Sequence, residues 1–209
     1  MSIYQPAAFA VPRDAALQLI HDFPFATLVT PGEGEPHISH LPLLYHSHPS
    51  QRDLLIGHMA RANPHWKSFG GGLTLALFHG PHAYVSPSWY LDPAAAVPTW
   101  NYAVVHVYAK AIIATDRSET LATVNELTRR FESGRPQPWT LQLSGERLDT
   151  MLGAIVAFRL VIERVDAKFK LSQNRDANDR RRVAAALADE HYADAEATSE
   201  WMQRYGIGA

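Results

Sequence analysis

The run NYAVVHVYAKAIIAT at 101–115 sets Tyr102, Val104, His106, Tyr108 and Lys110 on one side and Ala103, Val105, Val107, Ala109 and Ala111 on the other. Strict period two over that length specifies one long strand, because successive side chains of a strand point to opposite faces. Shorter β-rich runs precede and follow it. FATLVT at 25–30 ends in the turn cluster PGEGEP and leads into HISHLPLLYH at 37–46, the pattern of a hairpin. HPSQ at 48–51 reads as a turn, DLLIGHM at 53–59 as a third strand, and LTLALFHG at 73–80 as a fourth, after the glycines at 70–72. A further strand is expected at 82–86, opening a segment dense in proline and aromatics that runs to Pro98, and FRLVIERV is the last.

Helical spacing is confined to a few places. Pro12 followed by Ala16, Leu17, Ile20 and Phe23 predicts a helix over 12–23, stopped by Pro24. ARANPHWKSF fits a short helix with Pro64 in its first turn. Asp116 and Glu119 have capping-box spacing, and Leu121, Val124, Leu127 and Phe131 form one stripe, so 116–133 is the clearest helix. SGERLDTMLGAI repeats the pattern at Leu148, Met151, Leu152 and Ile155, and the charged, alanine-rich chain from about Asp176 is expected to be helical.

Six or seven strands joined by short turns, one helix leading and two in the middle, predict a mainly β chain with peripheral helices (α+β), its strands closed into an antiparallel barrel. A β-α-β-α alternation is absent, and no GxGxxG or Walker-type loop is present, which argues against a doubly wound nucleotide fold. One domain over 1–187, with 188–209 as a charged, helical tail, is the expected organisation. The sequence has 209 residues, 46% of them hydrophobic, enough for one substantial core. It has no cysteine, which removes disulfides, thiolate metal sites and thiol catalysis. The first residues lack the pattern of a secretory signal, and no apolar run approaches the ~20 residues that span a bilayer, so a cytoplasmic protein with no membrane partner is expected.

Three constellations carry possible chemistry. GHMARANPHW at 57–66 delivers His58 from a strand end, followed by Arg61, Asn63 and Lys67; it suits a phosphomonoester, although spacing alone favours a surface turn with a solvated Arg and a capping Asn. KFKLSQNR at 168–175 gathers three cations with Ser172, Gln173 and Asn174, an anion or heterocycle grip or else an edge strand guarded by lysines. His79, His82, Tyr84, Trp89, Tyr90, Trp100, Tyr102 and His106 form an aromatic cluster that fits a planar ligand as well as ordinary packing. The 11 histidines concentrate between His21 and His106, but the His79 and His82 pair is split by Gly-Pro, and no spacing fixes a metal site. No GxSxG, HExxH or apolar-set carboxylate pair is present. The basic stretch Arg180–Arg182 is diluted by Asp176 and Asp179 and reads as a solvated helix face, with nucleic-acid contact the minority reading.

DFPFATLVT, HLPLL, GHMARANPHW, FHGPHAYVSPSWY, VPTWNYAVVHVY and KFKLSQNR, in this order, resemble the PaiB-type family of FMN-binding negative transcriptional regulators, over about Ile3 to Leu187. The resemblance implies a split β-barrel of the FMN-binding, pyridoxamine-phosphate-oxidase-like type, assembled as a homodimer with FMN at the interface. It implies that Ser39, His40 and Leu41 lie beside the isoalloxazine ring or ribityl chain, and that His58, Ala60, Arg61 and Asn63 surround the phosphate. It implies further that Lys170, Gln173 and Arg175 complete the pocket, from the same or the partner subunit. Two departures stand out: the loop LDPAAA is shorter than the family's usual charged loop, and Lys110 stands where glycine is common. Two functions follow from the resemblance. One is a regulator that lowers transcription, with DNA as a partner, although the net charge of −2 gives no basic field and no helix-turn-helix is visible. The other is an FMN-dependent oxidoreductase using NAD(P)H on a small molecule, since a flavin carries that chemistry itself.

Overall fold

The computed structural model describes residues 3–48 and 50–205. Pro49 of the turn expected at 48–51 and residues 206–209 of the expected tail lie outside the described residues. In chain order the elements are α1 (Arg13–Asp22), β1 (Phe25–Thr30), β2 (His37–Pro42), β3 (Leu44–His46), β4 (Leu54–Ala60), β5 (Thr74–Val85) and β6 (Thr99–Ile113). They continue with α2 (Arg117–Glu132), α3 (Gly145–Gly153), β7 (Ile155–Lys170), α4 (Ala177–Asp189) and α5 (Ala195–Arg204). Short 3-10 turns intervene, including one at Pro64–Ser68. Among the described residues no helix is long and apolar enough to cross a membrane.

The seven strands form one sheet in the order β2-β1-β5-β6-β7-β4-β3. The β1–β2, β1–β5, β3–β4 and β4–β7 pairs are antiparallel. This corrects the expected split barrel, because the sheet is open: β2 and β3 are its two edges and no ladder joins them. The reason lies in one residue. HISHLPLLYH is not a single strand but two, separated only by Leu43, so β2 and β3 run head to tail and cannot pair with each other. Pro42 offers no N–H to a ladder, and the Leu43 N–H is donated to the Pro24 carbonyl at 2.9 Å. The Leu43 side chain is fully buried.

The strands expected at 73–80 and 82–86 are one continuous strand, β5. Gly80 and Pro81 are buried in succession, a slip in the inside-outside alternation that the sequence presents as a break. The last strand extends beyond FRLVIERV at both ends, over sixteen residues.

The chain divides into two compact units. The first comprises Met1–Asp22, His79–Val105 and Asp166–Ala209, the second Phe23–Phe78 and His106–Val165. In the first, Leu19 and Ile20 of α1 are buried, and a Cβ on Gly80 would stand 3.0 Å from Leu19 Cδ1 and 3.3 Å from the Ala103 Cβ, so glycine permits that close approach. Helices α4 and α5 bury Val183, Leu187, Trp201 and Met202, and the Ser199 hydroxyl donates to the Ala184 carbonyl at 2.7 Å. Phe169 meets the rings of Trp201 and Tyr205 edge-on.

In the second unit, Asp116 caps α2 by accepting the Glu119 N–H at 2.8 Å. The same helix buries Thr123 and Leu127, and its outer carboxylates reach the strands, Glu119 to Arg159 at 3.1 Å and Glu126 to His46 at 3.2 Å.

Candidate functional site

The β1–β2 hairpin sets the first group of expected site residues in alternation. Ser39 and Leu41 point inward and are buried, while His40 is exposed opposite Thr27, whose hydroxyl lies 3.1 Å from His40 Nδ1. His58 is half-buried on β4, and its Nδ1 is shielded from solvent without a hydrogen-bond partner. Burial holds its pKa below the usual histidine range. Ala60 ends the strand, exposed.

Arg61 follows, but its guanidinium is engaged by the protein. Nε donates to the Gly153 carbonyl at 2.6 Å and Nη2 to the Ile155 carbonyl at 2.8 Å, and its backbone N–H bonds Ala154. A cation there satisfies carbonyls at the C-terminus of α3 and complements the helix dipole.

Asn63 opens the 3-10 turn by accepting the His65 N–H on its side-chain oxygen at 3.0 Å, with Pro64 in the first position. Its amide donates to Ser39 Oγ at 2.9 Å. Ser39 Oγ lies 2.8 Å from His65 Nδ1, His65 Nε2 lies 2.9 Å from Thr30 Oγ1, and Thr30 Oγ1 lies 2.9 Å from Thr74 Oγ1. His65 is 1% exposed and stacks on His37 with ring centroids 5.7 Å apart. Burial, with His37 beside it, lowers its pKa to about 4, so the ring is neutral near pH 7. A cavity of about 590 Å³ opens beside it, lined by Pro31, His37, Lys67 and Phe69 among others.

In the first unit β7 ends with Lys168 and Lys170 and turns through Ser172, which sits at φ 68°. That left-handed backbone is held by a buried reciprocal pair: the Asn101 amide donates to Ser172 Oγ at 3.0 Å and the Ser172 hydroxyl to Asn101 Oδ1 at 3.2 Å. Gln173 folds back on its own segment, accepting the Leu171 N–H at 2.7 Å and donating to the Phe169 carbonyl.

Lys168 is 8% exposed, with its ammonium 5.3 Å from the ring centre of Tyr4, 5.5 Å from Tyr102 and 5.9 Å from Phe9. Lys170 donates to Thr99 Oγ1 and to the Trp100 carbonyl, each at 2.6 Å. Arg175 lies over the ring of Tyr90 at 4.3 Å. Among the described residues none of these three cations pairs with a carboxylate. Burial, then Lys168 and Arg175, push the Lys170 pKa below the usual lysine value. Exposed rings stand nearby on β5 and β6: Trp100 with His82 at 5.8 Å and with Tyr84 at 6.3 Å between centres.

Seven of the ten expected residues therefore belong to the second unit (Ser39, His40, Leu41, His58, Ala60, Arg61, Asn63) and three to the first (Lys170, Gln173, Arg175). Ser39 and Asn63 are brought into direct contact, and Lys170 and Arg175 into one cationic cluster. His65, Asn101 and Lys168 were not among the ten. They sit within GHMARANPHW, PTWNY and KFKLSQNR, but no local pattern marks a histidine or asparagine as buried and networked.

An open antiparallel sheet with flanking helices is a fold shared with flavin-binding proteins of known structure. The FAD and heme binding protein of Mycobacterium smegmatis superposes with a TM-score of 0.58 at 18% identity, over 82% of this chain and 77% of that one. The flavocytochrome Anf3 of Azotobacter vinelandii gives 0.58 at 14% identity, over 78% and 74%. Residues 3–164 match the family model described as "Putative FMN-binding domain", and the chain belongs to that family. The Bacillus subtilis protein named protease synthase and sporulation protein PAI 2 is 34% identical over 205 residues, 96% of this chain and 97% of its own. An uncharacterized protein of Emericella nidulans is 31% identical over 204 residues, covering 78% and 81%.

Proposed function

We propose that the protein binds FMN and acts as a PaiB-type negative regulator of transcription, as a cytoplasmic homodimer. The observation that carries the ligand is the cluster of Lys168, Lys170 and Arg175, three neighbouring cations without a carboxylate partner among the described residues, beside aromatic rings. Mutually repelling, partly desolvated cations are stabilised by a bound anion, and flat rings suit a planar heterocycle. FMN has both parts. We assign its phosphate to this cationic set, since the Arg61 guanidinium already serves the end of α3. In the second unit, Ser39, His40, His58 and Asn63 have the hydroxyl, amide and imidazole chemistry that suits ribityl hydroxyls and the polar edge of a ring, with Leu41 apolar beside them, and the cationic set is taken from the same or the partner subunit. His58 Nδ1, buried without a partner, is an open position for such a group.

The regulatory part rests on family membership and on near-full-length similarity to PAI 2, which favour it over the oxidoreductase reading. A dimer is supported by the outer face of the β2-β1-β5 corner. There Val29 lies opposite Ile38 and Leu75, Thr27 opposite His40 and Leu77, and Phe25 opposite Pro42, with Phe25 65% and Ile38 57% exposed. A sheet face that apolar is a surface for a second copy to cover.

The test is an absorbance spectrum and FMN titration of the purified full chain, with molar mass from light scattering. Stoichiometric flavin uptake by a dimer is expected; failure to take up FMN overturns the reading. Bound FMN should be bleached by NAD(P)H no faster than free FMN. Salt-dependent binding of the dimer to its own promoter region is the expected sign of a direct DNA contact, and no shift at low salt overturns that contact.

A further inference from the structure

We propose that His65 is the positioning residue of the flavin site, holding Ser39 and Asn63 in register through its Nδ1 edge; the proposal rests on the FMN reading above. Four elements are joined by the hydrogen-bond chain that runs through this imidazole. Ser39 belongs to β2, Thr30 to β1, Thr74 to β5, and Asn63 precedes the 3-10 turn that His65 itself occupies. The contacts form one chain: Asn63 to Ser39 at 2.9 Å, Ser39 to His65 at 2.8 Å, His65 to Thr30 at 2.9 Å, Thr30 to Thr74 at 2.9 Å.

The chain has a direction. The Asn63 amide can only donate, so Ser39 Oγ accepts from it. If the Ser39 hydroxyl then donates to Nδ1, the imidazole carries its proton on Nε2 and donates to Thr30, which donates to Thr74, and every link is satisfied. In the opposite tautomer Ser39 accepts from two donors and its own proton has no partner in the chain. The Nε2–H form is therefore the one this arrangement selects. It fixes the rotamer of Ser39 and, through Oγ, that of Asn63, whose other end is bound to the His65 backbone at 3.0 Å. Ser39 and Asn63, two of the side chains assigned to the ribityl hydroxyls and the ring edge, are thus locked before any ligand arrives.

Two substitutions separate positioning from stability. The side-chain amide of Asn reaches the place of an imidazole Nδ1, and that of Gln the place of Nε2. His65→Asn retains the link to Ser39, whereas His65→Gln retains only the link to Thr30. Both should lower the urea midpoint, measured on the full chain. FMN titration should give His65→Asn an affinity within about threefold of native and His65→Gln one weaker by about tenfold. Affinities that fall in proportion to the stability loss, or that leave Gln equal to or better than Asn, overturn the positioning role. A native chain that takes up no flavin removes instead the reading on which it rests.

Discussion

Arg61 donates from Nε to the carbonyl oxygen of Gly153 at 2.6 Å, across 92 positions of sequence. An arginine in a motif that suggests phosphate binding thus serves as the cap of a helix. Its replacement tests that division of labour. Arg61→Met should lower stability by about 1–2 kcal/mol, the range for a charged hydrogen bond at a helix C-terminus. FMN affinity should change less than about threefold. Urea denaturation and flavin titration on the same preparation check both, and a large affinity loss with stability intact would return the phosphate to Arg61.

The cationic cluster makes the opposite prediction. Lys170→Met and Arg175→Met should each weaken FMN by about tenfold or more, with a shallower dependence of affinity on salt. Riboflavin, which lacks the phosphate, should lose little in either variant, and equal losses for both flavins would place the phosphate elsewhere.

Lys168→Met should leave stability within about 1 kcal/mol of native. The ammonium's attraction to Tyr4, Phe9 and Tyr102 is lost, but so is its repulsion of Lys170, and a thioether packs well among rings. Thermal unfolding of the two proteins at equal concentration decides it.

Acid should weaken the protein in a defined window. The folded pKa of His65 is about 4 against an ordinary 6.5, so between those values the unfolded chain binds the extra proton and stability falls as pH falls. Protonation would also set a charge against His37 and add a donor at Nδ1, where Ser39 then has to accept twice. The loss is bounded at roughly 3 kcal/mol and adds no further below pH 4. His58 and His79, both lowered by burial, act in the same direction. Denaturation midpoints between pH 7 and pH 4 measure the slope, and it should flatten in His65→Asn.

Gly57→Ala should cost about 1–3 kcal/mol, the range for overpacking a filled core. A Cβ there would stand 2.6 Å from Leu43 Cδ2 and 3.2 Å from the Pro42 carbonyl, where the chain passes from β2 to β3. The urea midpoint of the variant is the readout.

The strands were legible wherever period two was uninterrupted, as at 25–30 and along β6. Where one residue changed the backbone's course, the pattern misled. Leu43 looks like one more apolar position in HISHLPLLYH, and nothing local reveals that its N–H closes the β1–β2 register at Pro24 while the chain beyond it goes on to pair with β4. Gly80-Pro81 has the composition of a turn, yet β5 continues through it as one strand with a slip in its alternation. Closure of the sheet depends on edge pairing between distant segments, which periodicity does not encode. At the candidate site, charge was visible in KFKLSQNR, but its lack of counter-charge among the described residues was not, because that depends on which carboxylates the fold keeps away. Arg61 and His65 show the same limit from opposite sides. Their surroundings come from residues far along the chain, Gly153 for one and Thr30 for the other.

The pairing of β4 with β7 joins Leu54 to Val161 and Ala60 to Ile155. A ribosome adding 5–20 residues per second needs about 5–20 s to make the intervening chain. Through that interval β4 has β3 on one side and, on the other, an edge whose partner has yet to be made, while β2, separated from β3 by Leu43 alone, has been free to dock on β1 from the start. The nascent protein therefore carries an open strand edge for seconds, so it should depend on chaperones during synthesis more than its modest length suggests.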